Sequence, residues 1–439
     1  MLRAGVAKVE VTPPVGVRMS GFAGRAFPSM AVHDPLCARA LVLDDGRRRA
    51  ALVTMDLIGI SEKAVAKVRE EAASSAGIAQ DGLLLAGTHT HSGPTFWDDG
   101  TFTAQERGYW DELPGRLAAV LKEAADSLTP ARLGWASGWS AVGINRRETV
   151  PGGLVTLGRD HFGRFDPELG LIRVDRADGA PLAGLMNYAC HAVCLVADNY
   201  LLSADYPGFA AYRFERAIGG GVMGLFFNGA CGNVNPREAA VGHGVASGGS
   251  FTIAQRAGEH LAREAARVWK QAEPREDIAL SFARKQVALP TNRARAIKAA
   301  EEGLQQAEQR AAYPHEELSP YVTWYDPPNP ERARKRLERL KAEGDAPVKC
   351  EIQAIVAGPV AFVGWPGEIF CELGMMVKEA SPFRPTYTIG YANGSIGYVP
   401  TPEAFPQGGY EVGVAAHLAD NAGLVLVEET LGLLKGVER

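Results

Sequence analysis

Leu83-Leu84-Leu85-Ala86-Gly87-Thr88-His89-Thr90-His91-Ser92-Gly93-Pro94 is the stretch on which the reading of this chain turns. Its first four residues are apolar without alternation, as in a strand covered on both faces. A glycine, two threonines and two of the nine histidines follow, and Gly93-Pro94 turns the chain away. Polar residues placed where a buried strand ends are where open α/β sheets gather their ligand sites.

The same arrangement occurs three times. ALVTMD (51–56) leads to a helix over 62–75, capped by Ser61, and then to residues 83–94. LMNYACH (185–191) leads to a helix near 206–217 and to GLFFNGACGNVNP (224–236). VAFVGWPGE (360–368) leads to a helix over 369–380 and to TYTIGYANGSIGYVP (386–400). Read as strand–helix–strand units, these bring Asp56, His89, His91, His191, Asn233, Asn235, Glu368 and Tyr398 to one edge. Further helices are expected over 111–127 and about 251–272, the latter with Ile253, Ala257, Leu261, Ala265 and Val268 on one stripe. Between about 291 and 345 two charged helical patterns flank a Pro- and Tyr-rich turn, a helical insertion that reads as a solvated hairpin, with a lid or oligomer contact as the alternative. The expected class is α/β, mixed sheets flanked by helices, with residues 1–439 in one domain carrying that insertion.

A chain of 439 residues with 46% apolar content can bury a large core. Its formal charge of −5 gives no electrostatic reason to expect nucleic acid as a partner. The N-terminus has no long apolar run, and no stretch approaches the ~20 residues of a spanning helix, so neither a cleaved leader nor stable membrane anchoring is expected. Six cysteines without a CxxC pair do not make a disulfide framework. The expectation is a cytoplasmic protein acting on a small molecule, with a homo-oligomer left open.

In an extended strand residues i and i+2 share a face, so His89 and His91 are expected side by side. Imidazole is the commonest zinc ligand, and such a pair supplies two nitrogens, or one ligand and one proton handler. His191 lies between Cys190 and Cys194, which alternation places on the opposite face, so these three do not form one metal cluster and the cysteines read as buried hydrophobes. His33 reads as a turn brace, and His161, His243, His260, His315 and His417 sit in polar or helical settings.

These residues resemble the N-terminal catalytic domain of the neutral (alkaline, non-lysosomal) ceramidases. That family's GTHTHSGP signature stands unbroken as Gly87–Pro94. Its NxNR region resembles Gly143–Arg146, its apolar histidine strand Ala189–His191, and its PGEF segment Pro366–Ile369. Its late tyrosine-rich run resembles Asn393–Glu411, which keeps Tyr398 and Tyr410. The resemblance implies zinc held by His89, His191, Glu368 and Tyr398. It implies that His91 and Arg146 face the scissile carbonyl, as proton handler and oxyanion partner. The choice of His89 over His91 as ligand comes from the resemblance; spacing leaves it open.

Two departures accompany the likeness. Where the family carries a catalytic serine, this chain reads Gly232-Asn233-Val234-Asn235-Pro236, so the serine's role is absent and Asn235 can serve only as a hydrogen-bond donor to an oxyanion. The family's C-terminal immunoglobulin-like domain and signal peptide are likewise not expected in this chain. The expected activity is hydrolysis of a small polar amide by zinc-bound hydroxide, with His91, Arg146 and Asn235 as the catalytic residues. Asp98 and Asp99, beside Phe96 and Trp97, would favour a cationic or hydroxyl-rich group. An ester, lactone or lactam would be attacked by the same site. The rivals are a metal-free hydrolase using Cys231 and a non-catalytic binding relative.

Overall fold

Each of the three sequence units folds as a parallel strand pair joined by a helix. In this computed structural model, which describes residues 1–22, 25, 27–97, 100–239, 249–312, 330–342 and 346–437, they are Arg49–Met55 with Leu83–Gly87, Pro181–Tyr188 with Met223–Asn228, and Val360–Gly364 with Thr386–Ile389. The connecting helices are Glu62–Ser75, Asp205–Ile218 and Cys371–Ala380. The first begins where expected, because the Ser61 hydroxyl accepts from Ala64 N–H.

The first two units form the two ends of one eight-stranded sheet, running Met223–Asn228, Pro181–Tyr188, Glu168–Arg176, Thr129–Trp139, Arg3–Glu10, Cys37–Asp44, Arg49–Met55, Leu83–Gly87. The third lies in a four-stranded sheet with Leu280–Leu289 and Val348–Ala357. The two sheets pack face to face. Leu41, Leu52, Leu84 and Leu225 on one side meet Ile355, Phe362, Tyr387 and Ile389 on the other. The opposite faces are covered by helices. Leu83 and Leu85 turn outward to Val65, Val68, Leu113 and Leu117, while Leu84 and Ala86 turn inward to the second sheet. A strand sandwiched in this way has no polar side to show, which is why residues 83–86 are uniformly apolar. The expected mixed sheets with flanking helices are therefore found, with the addition that two sheets share the central layer.

The eight-stranded sheet curls until its two end units approach, and Thr54 donates to the Phe226 carbonyl at 2.5 Å. Buried asparagines join the carboxyl ends of all three units. Asn228 donates to Thr88 O (3.1 Å) and accepts from Cys190 N–H (3.1 Å); Asn187 donates to Phe227 O (3.2 Å) and Thr388 O (3.0 Å). Asn393 accepts from Leu85 N–H at 3.0 Å, tying the third unit to the first.

Two helices differ from expectation by more than two residues at an end. The helix expected over 111–127 runs Ala104–Asp126, because Thr103 and Glu106 form a reciprocal capping box that starts it two turns earlier and leaves Pro114 in its interior. The one expected over 251–272 ends at Trp269. The insertion contains the two charged helices Arg293–Ala312 and Pro330–Ala342, packed on each other; the intervening turn lies outside the described residues, as do His243 and His315. All six cysteines are buried and unbridged. Among the described residues no helix is long and apolar enough to cross a membrane.

Candidate metal centre and its cavity

The strand Leu83–Gly87 stops before the histidines. Thr88 N–H donates to Met55 O (2.8 Å) and His89 N–H to Leu57 O (3.0 Å), and His89 takes a left-handed φ of 64°. Pleat alternation therefore does not set the two rings side by side as the sequence spacing suggested. The turned backbone does: Nε2 of His91 lies 3.1 Å from Nε2 of His89. Positive φ at a non-glycine residue is uncommon and costs ~1–3 kcal/mol, a strain that collects at functional sites. His191 likewise sits just past its strand, its N–H donating to Val234 O at 3.0 Å. The ligand nitrogens of His89, His91 and His191 all fall within 4.8 Å of one another.

Glu368 and Tyr398 reach the same point by register. The strands Glu368–Ile369 and Tyr398–Val399 pair in parallel with Glu368 directly opposite Tyr398, so their side chains share a face. Gly232 permits this approach; a Cβ there would stand 2.3 Å from the Glu368 carbonyl oxygen. The Glu368 carboxylate lies 3.0 Å from His191 Nε2 and 3.4 Å from His89 Nε2.

The hydrogen bonds behind the rings decide what this centre wants. Nδ1 of His89 lies 2.8 Å from Ile58 O, and Nδ1 of His191 2.7 Å from Cys231 O. Carbonyls only accept, so both Nδ1 atoms carry the proton, and in the neutral rings both Nε2 lone pairs point at the carboxylate. Burial holds His191 down to about 4 and His91 well below its usual value. Burial also works against charge on Glu368, and only imidazoles carrying a second proton would hold its carboxyl below the usual range; with neutral rings a cation takes that part. Acceptors facing acceptors around a largely buried carboxylate are relieved by a cation placed between them. Two imidazoles, a carboxylate and a phenol oxygen are a donor set suited to zinc, so the residues present fit a metal ion. His91 differs from the other two. Its Nδ1 has no hydrogen-bond partner among the described residues, and its ring is capped by Gly21 and met edge-on by Phe22 at 5.0 Å.

Arg146 enters from the strand Gly143–Thr149, beside Val234–Pro236. Its Nη2 donates to the Tyr398 hydroxyl (2.9 Å), its Nη1 to Asn235 Oδ1 (3.1 Å) and its Nε to Glu411 (2.8 Å). With Oδ1 engaged by Arg146, the Asn235 amide N–H₂ is left to face the cavity that Asn235 lines. That cavity, about 870 Å³, has His89, His91, Arg146, Asn235, Glu368 and Tyr398 in its wall. Met19, Phe22, Leu157, Val193, Val196 and Val414 make much of the rest apolar, less polar than a small polar substrate calls for.

Other expected residues stand apart. Asp56 pairs with Arg39 at 2.9 Å and accepts from Cys37 N–H, bracing neighbouring strands rather than lining the cavity. Asn233 accepts from Cys371 N–H (2.9 Å) and donates to Glu372 (2.8 Å), fastening the start of a helix. Cys231 is fully buried, its sulfur 3.0 Å from the Tyr391 hydroxyl, and burial pushes its thiol up to about 12, which removes it as a nucleophile. Asp98 and Asp99 lie outside the described residues. Sequence reading passed over Tyr391, whose ring stacks on His89 at 3.7 Å and 13°, and Glu411, which grips Arg146. Tyr391 carried a signal in the glycine-rich loop 390–397, whose tight turns bring it to φ 58°.

Neutral ceramidases are among the known proteins to which this chain is similar. Neutral ceramidase A of Dictyostelium discoideum is 26% identical over 229 residues, 49% of this chain and 32% of its own length. The neutral ceramidase of Pseudomonas aeruginosa is 25% identical over 250 residues, 53% of this chain and 37% of its own. The chain thus spans about a third of the length of these curated relatives. Among solved structures, neutral ceramidase from Pseudomonas aeruginosa superposes with a TM-score of 0.74 at 20% identity, covering 99% of this chain and 74% of that one. A ceramidase complexed with C2 gives 0.76 at 19%, with the same coverage. At such identities the superpositions speak for a shared fold. The model of the neutral/alkaline non-lysosomal ceramidase N-terminal region matches residues 2–271, well over half the chain and inclusive of His89, His91, Arg146 and His191, and the chain belongs to that family.

Proposed function

We propose that the protein hydrolyses the amide bond of a substrate with an apolar portion, at a zinc centre formed by His89, His191, Glu368 and Tyr398. The observation that carries this reading is the convergence of two imidazole lone pairs on a largely buried carboxylate, 15% exposed, at the wall of a large, partly apolar cavity. Zinc held there supplies Lewis acidity, polarising a carbonyl and making water nucleophilic near neutral pH.

The chain's own groups supply the rest. Glu368 lies 3.0 and 3.4 Å from Nε2 of His191 and His89, whereas the close approach of His91 Nε2 among the described residues is to His89, at 3.1 Å, which supports His91 as the proton handler rather than a ligand. It takes a proton from the attacking water and passes it to the leaving nitrogen as the C–N bond breaks. Arg146 and the Asn235 amide donate to the carbonyl oxygen as it gains charge. No side chain forms a covalent intermediate, because Asn235 occupies the family's serine position and Cys231 is sealed away. The apolar walls exclude water and seat the acyl part.

The test is metal analysis followed by turnover. The protein should carry about one zinc per chain and hydrolyse an N-octanoyl amino alcohol faster than its N-acetyl counterpart, with matched esters run alongside to compare kcat/KM. His191→Ala should lose both zinc and turnover while staying folded. A His191→Ala protein with full zinc content would defeat the ligand assignment.

A further inference from the structure

Glu411 is 1% exposed and lies on the short helix Tyr410–Val414, far in sequence from the residues it serves. One carboxylate oxygen accepts from Arg146 Nε and the other from Arg147 Nη1, both at 2.8 Å. Arg146 and Arg147 are consecutive, and side chains on a regular strand alternate. The ladder to the strand Val155–Asp160 slips by one residue opposite Arg146, an irregularity of the kind that re-aims side chains beside functional sites, and both guanidiniums reach the same carboxylate. Arg147 is fixed from behind, its Nη2 donating to Gly408 O at 2.8 Å and its backbone N–H to Asn145 Oδ1 at 3.0 Å.

The guanidinium is a rigid fork, so holding Nε orients the whole plane. With Nε on Glu411, the Arg146 Nη atoms are aimed at Asn235 and Tyr398 in the cavity wall. For stability alone, a buried carboxylate between two buried cations is a poor device, since apolar residues in its place commonly serve as well or better. Its use here is directional. We infer that Glu411 is a positioning residue: anchored by Arg147, it fixes the Arg146 fork so that Arg146 and the amide it holds on Asn235 meet the substrate's carbonyl oxygen. This rests on the amide-hydrolase reading above, in which Arg146 faces that oxygen.

A glutamine at 411 offers one acceptor and presents an N–H₂ to the other guanidinium, so one arginine is released. Glu411→Gln, Arg146→Ala and the double variant are compared as zinc-loaded full chains on the N-octanoyl amino alcohol. A misplacement of about 1 Å costs roughly 100-fold, so Glu411→Gln should lower kcat by about 10- to 100-fold. KM should stay within about twofold, because the apolar walls are untouched. Zinc content should also be retained. If Glu411 acts through Arg146, the double variant is no slower than Arg146→Ala alone. Additive losses, or a Glu411→Gln kcat equal to the parent's, would overturn the inference. Glu411→Asp keeps the charge on a stem one methylene shorter and serves if the glutamine variant does not fold; an unchanged kcat there would overturn it equally. Arginine Nε–H resonances in ¹⁵N NMR report the anchoring without turnover. The Arg146 signal should be protected from exchange in the parent and lost in Glu411→Gln, and an unaltered signal would refute the anchoring. A parent that hydrolyses none of the amides, yet shows this loss of protection, would defeat the amide-hydrolase reading and leave the anchoring standing.

Discussion

Gly21→Ala is the sharpest perturbation available, because it touches His91 and none of the four groups assigned to the metal. A Cβ at position 21 would stand 2.2 Å from His91 Cγ and 2.3 Å from its Nδ1. Carbon atoms rest at ~3.5 Å, so the imidazole or the loop must yield by about 1.3 Å. Moving the loop strains Ser20 N–H to Gly93 O (2.9 Å) and the Arg25 bonds to Ser20 O and His91 O (both 2.6 Å). Moving the ring opens the 3.1 Å approach of His91 to His89. Either response displaces the proton handler, and turnover should fall by roughly 100-fold with zinc content unchanged. The left-handed backbone of Gly21, φ +92°, adds a strain of its own when alanine replaces glycine. Gly46→Ala controls for that: its φ is +89°, and its Cβ would meet nothing within 4 Å. Both variants should lose similar stability by thermal melting, and only Gly21→Ala should lose kcat. Equal turnover in the two, with zinc intact in both, would refute the placement of His91 in the chemistry.

Three further outcomes follow from the same geometry. His89→Ala should release zinc, whereas His91→Ala should keep it and lose ~10²–10⁴ in turnover; equal metal loss, read by elemental analysis, would mean the pair chelates together. Asn235→Ala should lower kcat by ~10²–10³ with zinc unchanged, while Cys231→Ala stays active and intact-mass spectra show no acyl adduct during turnover. Asp205, fully buried, is raised by burial from 3.8 to about 6. The folded protein thus holds this proton more tightly than the unfolded one. The associated stability, ~3 kcal/mol at 1.36 kcal/mol per pH unit, is complete below the unfolded value and lost as pH rises through about 6. Asp205→Asn should therefore flatten the dependence of stability on pH between 4 and 6, whatever its mean stability, and a denaturation series with the parent's slope would contradict this.

What the sequence revealed depended on how local the cause was. The three strand–helix–strand units were legible because apolar runs, caps and closing glycine–proline loops are written in short stretches such as 83–94. His89, His91 and His191 were legible as a group for the same reason, since each closes such a run. The way their rings meet was not, because it depends on a left-handed φ at His89 that alternation does not anticipate. Asp56 and Asn233 occupy the expected strand ends but turn to Arg39 and Glu372, a choice made by partners distant in the chain. Glu411 was hidden for a related reason: its meaning lies in two arginines more than 260 positions away, with separations of 265 and 264 residues.

The asparagine stitches between units bear on the order in which this protein comes together. The units run Arg49–Gly87, Pro181–Asn228 and Val360–Ile389, each under fifty residues, and close short loops, which the chain can do early. The bond from Leu85 to Asn393 spans 308 positions, and the approach of His191 to Glu368 spans 177. Closures of that length come after the local ones, since their entropy must be met before their contacts form. On the ribosome the first two units can stand complete, with three imidazoles in place, while Glu368 and Tyr398 have yet to be made. An ion offered to that nascent chain would find the three histidines without the carboxylate of the proposed site. A metal held by the proposed set of His89, His191, Glu368 and Tyr398 is therefore one that binds after the whole fold has closed.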